Sequence, residues 1–224
     1  MKRIITAIFI ALFIATAFSN STAAPNGQLD QILNNMQKAA AAIKTIYANM
    51  EQAKRDPTIG GTEKYSGQIF FKHAGKNNDK VRITYFIPKG QVIWIVGDQI
   101  VLYQEATKTA YFSSRKAQAS KNSEYAFVAT PYTSVPDLKR QYNITHAGDE
   151  QGMAKLELTP KAKSSLQKLT LWVDQSSWLP MKYQIVESNN NVTTFTLSNL
   201  KINGAIPDGN FKPSFPGDTK KVTR

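Results

Sequence analysis

"VIWIVGDQIVLY" occupies residues 92–103 and places two short apolar runs on either side of Gly97 and Asp98. A Gly-Asp pair between apolar runs is typical of a two-residue β-hairpin turn. Strands of a half-solvated sheet alternate apolar with polar side chains, yet here both sides of each strand are apolar. The pattern therefore predicts a hairpin in a sheet whose two faces are both covered at this point.

The segments next to the hairpin are predicted to be its antiparallel neighbours. "YSGQIFFKH" (65–73) and "KVRITYFIP" (80–88) precede it, and "KTAYF" (108–112) follows it. Short polar connections with Gly or Asn separate these runs, as expected between consecutive strands. Alternation places one apolar side on each of the first two strands, namely Gly67, Ile69, Phe71 and His73 on one, and Val81, Ile83, Tyr85 and Ile87 on the other.

Five further strands are predicted between residues 141 and 203. They are "QYNITHA", "AKLELTP", "KLTLWVD", "LPMKYQIVES" and "NVTTFTLSNLKIN". In the third, Leu169, Leu171 and Val173 form the apolar side. Before them, residues 113–140 break the strand pattern, and we predict a long excursion with one or two short helices there.

The beginning of the chain after residue 28 has helical spacing. One apolar face is formed by Leu29, Ile32, Leu33, Met36, Ala40 and Ile43. After Thr45 the pattern fits two structures, because Ile46 and Met50 suit either a continued helix or one face of a strand. Pro57 and Gly60-Gly61 then predict a loop.

These elements predict a mainly β (α+β) fold, with one long, curled antiparallel sheet. Such a sheet closes partway into a barrel, and its concave side must be filled or covered. We expect the N-terminal helix and the mid-chain insert to cover it.

The first residues predict a signal peptide. Lys2 and Arg3 precede an uncharged apolar run over residues 4–17, and small residues follow at Ser21 and Ala23. We place cleavage after Ala23, which makes residues 1–23 the signal peptide and 24–224 a single domain. The apolar run is shorter than the about 20 residues that span a bilayer. The protein is therefore expected to be exported.

Composition excludes several kinds of site. The sequence contains no Cys, which excludes disulfides, thiolate metal sites, cysteine nucleophiles and a lipid-modified Cys. The formal net charge is +12, and the basic residues are scattered except in the tail at 220–224. We interpret them as a solvated surface with a basic tail, with attraction to anionic headgroups as the alternative.

The sequence offers little catalytic chemistry. The two histidines, His73 and His146, lie on different strands, so no metal site is predicted. "SSRK" at 113 and "SLQK" at 165 match Ser-x-x-Lys, but Ser165 precedes a strand rather than opening a buried helix. Basic residues interleaved with aromatics on one face are lacking, so nucleic acid is not an expected partner. We expect a protein that is not an enzyme and needs no cofactor.

The order of several loose motifs resembles a known family. They are "YSGQIFFKH", the strand ending "FIP", the apolar hairpin, "RQYNI", "LELTPK" and "NFKPSFPG". Together they are similar to the LolA-type periplasmic carriers of outer-membrane lipoproteins, over about Gln28 to Asp218. The resemblance implies an unclosed barrel of about eleven strands, with the stretch after Thr45 as the first strand and residues 113–140 as lid helices over an apolar cavity.

The resemblance also implies a function and partners. Such a carrier takes acylated lipoproteins from an inner-membrane lipoprotein-releasing transporter in the periplasm. It shields the acyl chains and passes its cargo to an outer-membrane acceptor. We expect a monomer. The alternative is a carrier or sensor of another lipid, a phospholipid or glycolipid, in the same fold.

Lipid-binding and latch residues can be proposed on this basis. The candidate wall of the cavity consists of Ile69, Phe71, Val81, Ile83, Tyr85, Trp94, Ile100, Leu102, Leu171 and Val173. Ordinary core packing is the alternative for each of them. The family has Lys-Arg-Pro after its "SG" strand, and its Arg ties down the lid, but this chain has Lys72-His73-Ala74. We predict that His73 is the lid latch, with a core histidine bonded to a carbonyl as the alternative.

Overall fold

The structure is a computed structural model that describes residues 25–75, 78–115, 117 and 134–223. The predicted signal peptide and most of the predicted lid insert lie outside the described residues. Helix α1 spans Pro25–Ala41 and helix α2 spans Val135–Gln141. The strands are β1 Thr45–Arg55, β2 Glu63–Lys72, β3 Lys80–Ile87, β4 Gln91–Val96, β5 Gln99–Gln104, β6 Thr109–Ser114, β7 Tyr142–Glu150, β8 Met153–Pro160, β9 Leu166–Asp174, β10 Pro180–Glu187, β11 Val192–Ile202 and β12 Lys220–Thr223.

All twelve strands belong to one open sheet. Its order is β12-β6-β5-β4-β3-β2-β1-β11-β10-β9-β8-β7, so β12 and β7 are the two edges. Every neighbouring pair is antiparallel except β12 and β6, which run parallel from Lys220 opposite Thr109 to Thr223 opposite Phe112. The predicted mainly β, unclosed half-barrel is confirmed. It differs in one respect, because residues 220–223, interpreted from sequence as a solvated tail, form the edge strand.

The ambiguous stretch after Thr45 is a strand. Its buried positions recur at two-residue steps, at Ile46, Ala48, Met50 and Gln52. Asn203 holds the beginning of β1 against the end of helix α1. Its Oδ1 accepts the N–H of Lys44 at 2.7 Å, and its Nδ2 donates to the carbonyl of Ala42 at 2.9 Å. The side chain thus bonds the backbone where the helix gives way to the strand.

The two helices cover one face of the sheet. Ile32, Leu33 and Met36 of α1 are buried at helical spacing, and they share one hydrophobic cluster with Val135 and Leu138 of α2. The backbone N–H of Val135 donates to Gln37 Oε1 at 3.0 Å. We call the covered face the inner face and the opposite one the outer face.

The α2 helix is short but well terminated. Its N-cap Ser134 accepts the backbone N–H of Asp137, and Pro136 occupies the first turn. At its other end, Lys139 pairs with Asp30 of α1 at 3.1 Å. Within the described residues, no helix is both long and apolar enough to cross a membrane.

Candidate functional site

The inner face is apolar over most of its area. Most of its side chains are almost fully buried, because α1 and α2 pack on it. Eight of the ten candidate wall residues are buried in this cluster, and Leu102 packs against it, half-buried. These nine are Ile69, Phe71, Val81, Ile83, Tyr85, Ile100, Leu102, Leu171 and Val173. The structure thus brings them together, and their contact with a lipid stays a prediction.

Trp94 is the exception, because it lies on the outer face. It belongs to a second cluster with Val101, Tyr103 and Ala110. The prediction that Trp94 lies on the same face as Ile100 and Leu102 is therefore wrong. The β4–β5 register gives the reason, since Trp94 pairs with Val101, and cross-strand partners point to the same side of a sheet.

The residues that β4 contributes to the inner face are Ile93 and Ile95. They are 2 % and 0 % exposed, and they pair with Leu102 and Ile100. Neither residue was among the predicted wall residues, although the sequence contained the signal. A two-residue turn at Gly97-Asp98 places Val96 opposite Gln99, and that register fixes the other pairs of the hairpin.

The protein's own C-terminal segment covers the outer side of the hairpin. Phe215 stacks on Tyr103 with ring centroids 5.8 Å apart, and it meets Phe112 edge-on at 6.3 Å. Phe211 is buried in a 3₁₀ turn over Asp208–Phe211. This contact explains why both sides of the hairpin are apolar. One side faces the helices, and the other faces the C-terminal segment.

His73 lies outside the apolar cluster. Its side chain is 54 % exposed, and its Nδ1 is 2.7 Å from Asp79 Oδ1. Its backbone N–H donates to the backbone carbonyl of Lys44. Neither partner belongs to α1 or α2. These contacts therefore give no support to the predicted latch role of His73. Most of the predicted lid lies outside the described residues.

Basic side chains gather on the outer face beside β2 and β3. Lys72 and Lys80 both reach Asp208, at 3.0 and 2.9 Å. The Arg82 guanidinium lies over the ring of Phe70 at 5.7 Å, and partial burial lowers the pKa of Arg82. These contacts attach the C-terminal segment to the sheet and leave the inner face apolar in this region.

Polar groups do reach the inner face at one end. Gln52 is 2 % exposed, and its Oε1 accepts the hydroxyl of Tyr85 at 2.9 Å. Gln52 was not among the predicted site residues, although it lies in phase with Met50 on β1. Among the described residues, no group of three or more histidine and acidic side chains is arranged to hold a metal ion.

Comparisons with solved structures show the same fold at low identity. An uncharacterized conserved protein from Thermus thermophilus has a TM-score of 0.56 and 13 % identity, over 88 % of this chain and 99 % of that one. A DUF1329 family protein from Desulfovibrio piger has a TM-score of 0.51 and 16 % identity, over 84 % and 97 %. The Pseudomonas aeruginosa MucA/MucB complex has a TM-score of 0.50 and 12 % identity, over 84 % of this chain and 61 % of that one.

A family comparison gives the membership. No curated protein matches the chain significantly. The family model described as outer membrane lipoprotein carrier protein LolA, in contrast, matches residues 41–214, which include β1 to β11. That range covers most of the chain. This protein therefore belongs to the LolA family of outer membrane lipoprotein carrier proteins.

Proposed function

We propose that this protein is an exported carrier that binds the acyl chains of lipoproteins on its inner face and moves them from the inner to the outer membrane. The observation that carries the proposal is the match to the carrier family over residues 41–214, on a half-barrel whose apolar inner face is covered by helices. The proposed location of the protein is the periplasm, and the predicted signal peptide at residues 1–23 would direct the chain there.

The chemistry of the inner face suits acyl chains. Each methylene group that moves from water to an apolar surface contributes roughly 0.8 kcal/mol, and the interaction needs no particular direction. The inner faces of β2, β3 and β9 supply such a surface, for example at Ile69, Ile83 and Leu171. Binding and release then depend on differential burial, with no cofactor and no reaction.

The covering helices provide a way to expose this face. Ile32 and Leu33 of α1 and Leu138 of α2 occupy the surface that acyl chains would cover. Within the described residues, α2 is held by Gln37 and Asp30 of α1 and by Lys161, which donates to the carbonyls of Lys139 and Gln141, so its movement requires these polar contacts to break. Cargo would replace the apolar contacts that the helices give up, so that the carrier can open for a transporter and again for an acceptor.

A release assay tests this function. The mature protein is incubated with energised spheroplasts of the source organism, and acylated lipoproteins in the soluble fraction are identified by mass spectrometry. We expect stoichiometric release that requires the protein. Leu102→Glu should abolish release, because it places a charge on the inner face at a half-buried position, where it disturbs folding less than at fully buried Ile83.

Ile202→Glu is the matched control, since Ile202 is 42 % exposed at the end of β11. Thermal unfolding of each variant shows whether it is folded. Release that is equal in Leu102→Glu and the wild type would contradict binding on the inner face. Purified protein that carries phospholipid or glycolipid, with no lipoprotein released, would assign the same fold to transport of that lipid.

A further inference from the structure

The inner face changes from apolar to polar at one end. Along β1, the buried positions Ile46, Ala48 and Met50 are followed by Gln52, a buried amide. Along β11, which pairs with β1, Leu197 and Phe195 are followed by Thr193. On β2, Ile69 and Gly67 are followed by Tyr65, and on β3, Ile83 is followed by Tyr85. We call this region, formed by Gln52, Lys54, Tyr65, Tyr85 and Thr193, the polar end.

The groups of the polar end contact one another. The hydroxyl of Tyr85, a residue only 6 % exposed, donates to Gln52 Oε1. Tyr65 is the cross-strand partner of Gln52, and its ring meets that of Tyr85 edge-on at 6.1 Å. The ammonium of Lys54 lies 5.5 Å from the centre of the Tyr65 ring. An amide, two phenols and an ammonium thus gather on a face that is otherwise apolar.

A surface cleft continues from the polar end. Its volume is about 440 Å³, within the usual range of ligand pockets. Lys54 and Thr193, which face each other across β1 and β11, belong to its wall. The wall carries both signs of charge, with Lys54 and Arg55 against Glu63 and Glu187. The cleft therefore borders the polar end at Lys54 and Thr193, two positions along β1 from the buried amide of Gln52, and it can hold a hydrated, polar group there.

The distance along the inner face suits an acyl chain. Ile46 and Gln52 are six residues apart on one strand, which corresponds to about 20 Å. One leaflet of a bilayer has about 15 Å of hydrocarbon. A chain that extends from the polar end along β1 toward Ile46 would therefore contact apolar side chains over most of its length.

We propose that the polar end is a headgroup subsite, which holds the ester carbonyls of a diacylglyceryl ligand near Gln52 and Tyr85 while its acyl chains extend along the inner face toward Ile46. This inference rests on the proposed function and deepens it by fixing the ligand's orientation and one chemical requirement. An ester carbonyl only accepts hydrogen bonds. The Nε2 of Gln52 can donate to it, while the Tyr85 hydroxyl, which donates to Gln52 Oε1, sets the orientation of that amide. Diacylglyceryl esters occur in phospholipids and in the lipid anchors of lipoproteins, so both sources fit the subsite.

The test compares lipids that differ only in the carbonyl. A diester and a diether phospholipid with the same head and chain length compete with a fluorescent fatty acid for the purified, lipid-free protein. We expect the wild type to bind the diester about tenfold more tightly, the ratio expected for one hydrogen bond. Gln52→Leu should abolish this preference, because it removes the donor for the ester carbonyl. Tyr85→Phe keeps the ring, and it should reduce the preference even if Gln52→Leu does not fold.

Thr170→Val is the matched control, because Thr170 is as buried as Gln52 but alternates with the inward-facing Leu169 and Leu171 of β9, so it lies away from the inner face. It should keep the preference of the wild type. A diacylglyceryl-cysteine peptide forms a further arm, and tighter binding of the peptide than of the diester phospholipid would identify the lipoprotein anchor as the source of the ester.

The outcomes separate the two proposals. Equal affinity of the wild type for diester and diether, or a preference that survives in both Gln52→Leu and Tyr85→Phe, would overturn the headgroup subsite and leave the carrier function intact. Failure of the wild type to bind any of these lipids, together with no release from spheroplasts, would overturn the carrier function itself.

Discussion

Gly67 shows how one residue fixes the packing of two strands. It is buried in β2 opposite Tyr85, and a Cβ at this position would overlap the backbone carbonyl oxygen of Thr84 in β3. Backbone atoms cannot move away as the end of a flexible side chain can. The absent side chain therefore permits the close approach of β2 and β3 beside the Tyr85–Gln52 contact.

Gly67→Ala is expected to destabilise the protein by about 1–3 kcal/mol, because the strands must separate to accommodate the added methyl group. Urea unfolding followed by tryptophan fluorescence measures the change. Gly217→Ala is the control, since a Cβ there meets no atom within 4 Å. A loss of stability as small for Gly67→Ala as for Gly217→Ala would contradict the close approach of β2 and β3.

Single residues also show what the sequence could predict. Alternation correctly grouped Val81 with Ile83, since successive inward positions on a strand follow from backbone geometry alone. Trp94 was assigned to the wrong face, because both faces of β4 are apolar and alternation does not distinguish them. The buried amide of Gln52 was missed for a related reason, as its partner Tyr85 lies 33 residues away.

Among the elements, α1 and α2 depend on each other. α2 is too short to be stable alone in water, so its structure relies on contacts such as the one between Gln37 and the N–H of Val135. Spacing predicted α1 well, because its apolar stripe is long. A helix over the sheet in the mid-chain insert was predicted because the concave side must be covered, and the resemblance to the carrier family implied the same.

Gln37→Ala removes the acceptor for the Val135 N–H, at an expected cost of about 1 kcal/mol. Amide hydrogen exchange of α2 should therefore become about fivefold faster. Gln28→Ala is the control, because Gln28 lies exposed on the same helix. Unchanged exchange in α2 would show that Gln37 does not hold the two helices together.

The C-terminal segment is the second element that depends on a distant contact. Phe215 packs between Tyr103 and Phe112 on the outer face of β5 and β6. Phe215→Ala should destabilise the protein by about 2 kcal/mol, which is less than for a fully buried Phe because Phe215 is only half-buried. Urea unfolding measures the change.

Phe86→Ala provides the comparison, since Phe86 is 48 % exposed and its loss should cost less than about 0.5 kcal/mol. Similar losses for the two variants would mean that the C-terminal segment contributes little to the outer cluster.

For the molecule as a whole, acid should weaken the attachment of this segment. The ammonium groups of Lys80 and Lys72 hold the pKa of Asp208 below its usual value. A carboxyl group whose pKa is lowered in the folded state stabilises the protein above its unfolded pKa of about 3.9. That contribution is lost as the pH falls from this value through the folded pKa.

Asp208→Asn should therefore be less stable than the wild type at pH 7, and the difference should shrink as the pH falls below about 4. Urea unfolding between pH 3 and pH 7 measures both effects. Asp208 is exposed, so 0.5 M NaCl should also reduce the difference at pH 7 by screening. A stability difference that does not vary with pH would show that the charge of Asp208 does not stabilise the protein.

The sequence by itself determined the class of fold. Two-residue alternation identified most strands, three- and four-residue spacing identified α1, and the Gly97-Asp98 turn specified a hairpin. These signals are local, because the backbone geometry of strands and helices sets which positions share a face within a few residues.

Only the tertiary structure decided what covers each face. Ile93 belongs to the inner cluster, which includes residues of α1, and Trp94 belongs to the outer cluster, against which Phe215 packs. Both α1 and Phe215 are far away in the chain. The same holds for residues 220–223, whose strand exists because β6 offers an edge to pair with. Such contacts arise from packing between distant segments, and local periodicity does not specify which segment packs on which face of the sheet.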